Sequence, residues 1–151
     1  MTTHKKHLAA AAILILVIIV AAITVYINIG GRGVEAGDFY ATYTGRVIGV
    51  YGVLLNYSEE EVCIESIEVA ENVDGVKAEL HRIVEVGGAY RMEPAGRVCI
   101  EPGGSLELRP GGLHIMIMGD RDSLSKIVED GSVTVTIRAG SYEVRVDAEL
   151  R

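Results

Sequence analysis

The chain has 151 residues, 49% of them hydrophobic, and a formal net charge of −7. The averages hide two unlike parts. No charged residue lies between Lys6 and Arg32, and the 118 residues after Gly33 carry all 21 acidic side chains against 11 basic ones, a net charge of about −10. An acidic domain of that size excludes nucleic-acid binding, which needs a basic face, and it is too small for two domains. Alternating Val, Ile, Leu and Tyr exclude collagen, coiled coil and a disordered tail.

Residues 1–7 read as a short cytoplasmic N-terminus. Leu8 to Ile29, 22 residues and almost wholly apolar, would span about 33 Å as a helix, enough for a bilayer core of about 30 Å. Lys5 and Lys6 precede it and only Arg32 follows closely, so the positive-inside bias sets the N-terminus in the cytoplasm. The expectation is a single-pass anchor over 8–29 in the cytoplasmic membrane, with the remainder of the chain outside. A cleaved signal peptide is the alternative, but its apolar region is usually shorter and ends in a small-x-small site. No cysteine stands near the end of the segment, so a lipid anchor has no attachment point. Gly30, Gly31 and Gly33 mark a flexible linker over 30–37, and the folded domain is expected over 38–151.

Period-2 alternation dominates that domain. Tyr142, Val144, Val146, Ala148 and Leu150 alternate with Glu143, Arg145, Asp147 and Glu149, and Val133, Val135 and Ile137 alternate with threonines. Val76, Ala78 and Leu80 face one way while Lys77, Glu79 and His81 face the other. Further strands are predicted over 39–45, 48–56, 62–69, 97–101, 105–109 and 113–118. Turn residues separate them at Gly87-Gly88, Pro102-Gly103-Gly104, Pro110-Gly111-Gly112 and Ala139-Gly140-Ser141. Only 120–128 reads as a short helical turn. The pattern predicts an all-β domain, a sandwich or Greek-key barrel.

Cys63 and Cys99 both fall in predicted strands with 35 residues between them. Outside the cytoplasm a disulfide persists, worth about 3–4 kcal/mol for such a loop. Two buried, reduced thiols are the alternative. They form no C-x-x-C motif, which argues against thiol redox catalysis.

No G-x-S-x-G, H-E-x-x-H or phosphate loop is present, and the order of Ser, His and Asp marks no triad, so an enzyme is not expected. The His and Met residues carry the chemistry. Ten residues separate His81 from Met92, 21 separate Met92 from His114, and Met116 follows two positions later. In a strand, His114, Met116 and Met118 share a face, so His114 and Met116 can grip one ion. Soft, uncharged thioethers with imidazoles suit Cu(I) better than Zn(II), Ca(II) or Mg(II). Both imidazoles must be neutral to bind, so protons compete with the metal. Each residue also has a plain alternative: core filling for Met116, a solvated or partly buried role for His81 and His114, a rim position for Met92. Met118 packs the strand face and is the reserve ligand.

The spacing His81-x10-Met92-x21-His114-x-Met116 resembles the signature of the PCuAC-type extracytoplasmic copper chaperones. Ala78-Glu79-Leu80-His81, Tyr90-Arg91-Met92-Glu93-Pro94 and Leu108-Arg109-Pro110-Gly111-Gly112-Leu113-His114-Ile115-Met116 look like that family's most typical stretches, and Leu54-Leu55-Asn56 looks like its early strand. The resemblance covers most of residues 40–151. It implies a cupredoxin-like Greek-key β-barrel binding one Cu(I) through His81, Met92, His114 and Met116, and delivery to the binuclear copper centre of cytochrome c oxidase or to another copper carrier. His81 is followed by Arg82-Ile83, where that family commonly has an acidic residue and then Met or Thr, and 120–128 lacks its usual Lys/Arg-Pro-Leu. The competing readings are an electron-transfer cupredoxin, which needs a Cys thiolate at the metal, a metal-free membrane-tethered β-sandwich interaction module, and a copper-resistance buffer that sequesters without delivering.

Overall fold

Alternating apolar side chains become strands wherever one face can be buried, and β-structure dominates the domain. A computed structural model of the chain describes residues 13–22, 33–71 and 73–151. The chain divides into two units, with the boundary between Arg32 and Gly33. In the first, residues 13–22 are helical (α1), and their large apolar side chains are exposed. Among the described residues no helix is long and apolar enough to cross a membrane. The single-pass helix expected over 8–29 is thus not found among the described residues; positions 8–12 and 23–29 lie outside them.

The second unit holds eleven strands: β1 (Val34–Ala36), β2 (Tyr40–Tyr43), β3 (Val47–Asn56), β4 (Val62–Val69), β5 (Lys77–Val86), β6 (Ala89–Pro94), β7 (Cys99–Ile100), β8 (Ser105–Leu108), β9 (His114–Met118), β10 (Ser132–Ala139) and β11 (Tyr142–Leu150). A helix, α2 (Arg121–Ile127), sits between β9 and β10. The strands form one sheet in the order β6-β5-β9-β3-β2-β11-β10-β4-β7, with β1 and β8 attached to β3. Residues 34–36, expected within the linker, instead pair with Leu54–Asn56.

The expected barrel does not close. The path ends at β6 and β7, and among the described residues no strand bridges β4 to β5. β4 and β5 flank a groove of about 830 Å³ lined by residues such as Ile67 and Val76. The core is built from apolar side chains, with Ile48, Val50, Ile115, Ile117, Val133, Val135 and Ile137 at most 1% exposed. Leu124 and Ile127 bring α2 onto it. Asp120 caps that helix, its carboxylate accepting from the amides of Asp122 and Ser123 at 3.0 Å each.

β3 is the element that organises the site. Its first half pairs with β2 and β9, its second half with β8 and β1. Gly52 stands at the change of partners, where a Cβ would lie 2.5 Å from the Phe39 ring and 2.6 Å from the Asp38 carbonyl oxygen. Only glycine lets the strand pass this close.

Candidate metal centre

Directly opposed residues in an antiparallel ladder point to the same face. His81 on β5 opposes His114 on β9, Glu79 opposes Met116, and Lys77 opposes Met118. Ile115 and Ile117, between the β9 donors, fill the core. On the other side of β5, Ile83 opposes Met92 and His81 opposes Pro94 on β6. All four predicted ligands therefore share one face, the side opposite Leu80 and Ile115.

The two histidines form the centre. They are 7% and 5% exposed, buried although they lie on the outer face, and their ring centroids stand 6.4 Å apart. An ion held at about 2 Å by one nitrogen of each ring would keep the centroids about 6 Å apart, so little movement is needed. Hydrogen bonding fixes which nitrogens are available. The Nδ1–H of His114 donates to the Gly112 carbonyl at 2.9 Å, leaving Nε2 with its lone pair. The Nε2–H of His81 donates to Glu79 at 3.4 Å, and His81 Nδ1 is buried with no partner among the described residues. A buried, unpartnered imidazole nitrogen is costly unless something ligates it. A carboxylate behind a ligating His is a recurrent support in metal sites, holding ring and tautomer. Lys77, 2.5 Å from the other Glu79 oxygen, and then His81 hold the Glu79 carboxyl below its usual range.

The methionines flank this pair from opposite sides. Met116 is half-buried, one side-chain repeat along β9, or about 7 Å. Met92 is one repeat the other way on the neighbouring strand, diagonal to His81 and 51% exposed. Diagonal neighbours are within reach of long side chains, so each thioether can approach the His pair from its own end. The register does not bring the two Met residues together: their levels on β5 are Ile83 and Glu79, about 14 Å apart. Met118 lies two repeats from the His pair, against Lys77 and Val47, where packing explains it.

Three neighbours escaped the sequence analysis. Glu79 supports His81, the Gly112 carbonyl supports His114, and the Tyr51 ring lies 6.0 Å from the His114 ring, with Tyr40 5.2 Å beyond. Tyr51 folds over Gly49, where a Cβ would come 2.3 Å from its hydroxyl. The outward parity of 47, 49 and 51 in a long strand was the available signal. Cys63 and Cys99 are bonded to each other. The electron-transfer alternative therefore lacks its thiolate among the described residues.

Residues 34–148 match the model of the LpqE-like family, described as "Putative lipoprotein LpqE-like". The chain belongs to the LpqE-like family. Its two cysteines are consumed by the disulfide, so neither carries a lipid thioether. Solved structures that share the fold include three PCuAC domains. A "Copper-bound PCuAC domain from PmoF2" matches with TM-score 0.54 and 15% identity over 78% of this chain and 90% of that one. An "apo PmoF2 PCuAC domain" gives 0.53 and 16% over 78% and 87%, and an "Apo PCuAC domain from PmoF1" gives 0.55 and 16% over 77% and 91%. No curated protein matches the chain. The expected PCuAC-type resemblance stands.

Proposed function

We propose that this chain is an extracytoplasmic Cu(I) carrier. It binds one ion between His81 and His114, with Met116 and Met92 as soft donors from either side, and passes it on by ligand exchange. The observation that carries the reading is the buried, register-paired couple of imidazoles, each with one nitrogen fixed as N–H donor and the other left as a lone pair. The copper named with one structural neighbour supports it, as does an all-neutral donor set that prefers Cu(I). No substrate bond is made or broken, so the role is transport and not catalysis. The lipoprotein description of the family supports an extracytoplasmic site of action. The apolar composition of 8–29 supports a membrane-proximal position in this reading, which would raise the domain's effective concentration near a membrane-embedded acceptor. The acceptor in this reading is the copper-receiving subunit of cytochrome c oxidase.

The test is titration of the chain with Cu(I) against a chromogenic Cu(I) chelator, beside His81→Ala, His114→Ala and Met116→Ala. One ion per chain is expected, with each substitution weakening binding at least tenfold. Variants that compete as well as the wild type would remove the site.

A further inference from the structure

The sheet path ends on the two residues of β7, where Val62 opposes Ile100 and Cys63 opposes Cys99. Val62 and Ile100 are buried, which turns both cysteines outward, and the disulfide is half-exposed at the sheet edge. Arg97, an exposed side chain two residues before Cys99, spends its guanidinium on the sulfurs. Its Nη2 donates to Cys63 Sγ at 3.2 Å and its Nε to Cys99 Sγ at 3.5 Å. No carboxylate among the described residues forms an ion pair with Arg97, although Glu61 Oε1 is 3.8 Å from Cys63 Sγ. The Glu61 oxygen and both sulfurs lie within 4.8 Å of one another.

Neutral, bonded sulfurs are poor acceptors, whereas a thiolate beside a guanidinium gains a charge-assisted bond. Arg97 therefore favours the reduced pair far more than the oxidised one. We propose that Cys63–Cys99 is a thiol–disulfide exchange site for an external dithiol, separate from the copper site. Arg97 sets the direction of attack: its closer contact is to Cys63 Sγ, so the thiolate is best stabilised there and the nucleophile bonds to Cys99. The incoming thiolate bonds to Cys99 Sγ, the Cys63–Cys99 bond breaks, and Cys63 leaves as a thiolate held by Arg97. The second thiol of the reductant, once deprotonated, attacks its own sulfur in the mixed disulfide and releases Cys99. Two electrons pass to the protein; Cys99 takes up one proton, Cys63 stays a thiolate paired with Arg97, the dithiol's other proton goes to solvent, and the dithiol becomes a disulfide. The fold survives the exchange. Ile100 stays buried, its carbonyl accepts from Asn56 at 2.9 Å, and the Ile64 amide donates to Val98 at 2.9 Å, so β7 is held without the crosslink.

The experiment reduces the full chain with dithiothreitol at neutral pH, counting thiols by the mass shift on alkylation while circular dichroism follows the fold. Thiols are expected to appear with the spectrum unchanged. Arg97→Gln should slow the reaction about three- to tenfold, through a poorer leaving thiolate, and Arg97→Lys should recover part of the rate. Glutathione trapping should place the mixed disulfide on Cys99 in the wild type and lose that preference in Arg97→Gln. Reduction only after unfolding, equal rates in wild type and Arg97→Gln, or trapping on Cys63 in the wild type would each overturn the proposal.

Discussion

Asn56 ends β3 as a buried polar residue, 1% exposed, and makes an unusual number of bonds for one amide. Its Nδ2 donates to the carbonyl oxygens of Glu60, Ile100 and Glu101 at 2.8, 2.9 and 3.2 Å. Its Oδ1 accepts from the Ser58 amide at 2.9 Å and the Ser58 hydroxyl at 2.6 Å. Asn56→Ala removes all five. The Ile100 carbonyl is fully enclosed and loses its amide partner at a cost of about 1–3 kcal/mol, while each part-buried bond contributes about 0.5–1.5 kcal/mol net, with water replacing some of it. The loss should be about 3–4 kcal/mol, a large share of a total stability of about 5–15 kcal/mol.

Urea unfolding of the oxidised protein should show the midpoint lowered by about 2 M with an unchanged slope. Asn56→Asp should fare no better than alanine, because it keeps the acceptor and turns the donor into a charge facing three carbonyls. Asn56 lies five residues, or about 17 Å, from Tyr51 along β3, so Cu(I) affinity of the folded variant should match the wild type. A stability loss below 1 kcal/mol, or a loss of copper affinity in the folded state, would refute the reasoning.

Leu124→Ala, at 0% exposure under α2, should cost about 2–5 kcal/mol in the same assay. Glu79→Gln should lower Cu(I) affinity about 10- to 100-fold without changing the unfolding midpoint greatly, because it weakens the hydrogen bond that orients His81. The Ser123 hydroxyl and amide hold the Asp120 carboxyl below its ordinary range, so the folded state binds that proton more weakly than the unfolded one. Its stabilisation is complete above the unfolded value and fades as pH falls through the native one; Asp120→Asn should abolish that part of the acid dependence of Tm. Met92→Leu should slow stopped-flow transfer of Cu(I) to a chelator more than Met116→Leu does, since Met92 is the more exposed donor. Equal effects would remove the distinction.

Strands buried on one face were legible because their alternation is written in the residues: 62–69 is observed as predicted, and 142–150 and 105–108 differ by a residue or less. β6 left no such trace. Ala89–Pro94 is exposed on nearly every residue, so neither face selects apolar side chains, and no strand is predicted around Met92. β1 is only three residues long and depends on β3 for its bonds. The failure to close the barrel was equally hidden, because it rests on pairing between segments distant in sequence. At the site, spacing named the His and Met residues. The partners that set their tautomers depend on cross-strand register, which the sequence does not contain.

The two halves of β3 separate the two sites proposed for the domain. Residues 47–51 run beside β9 and carry Tyr51 next to the histidine pair. Residues 52–56 run beside β8 and β1 and end at Asn56, whose amide fastens Ile100 next to Cys99. Strain or motion introduced by breaking the disulfide meets this amide before it can travel along β3. The proposed copper donors rest on a different support, the β5–β9 register over an isoleucine core that is 0% exposed at Ile115 and Ile117. Energetic effects at well-separated sites without shared partners add with little coupling. The redox state of Cys63 and Cys99 should therefore leave the His81–His114 spacing, and with it the affinity for the ion, unchanged.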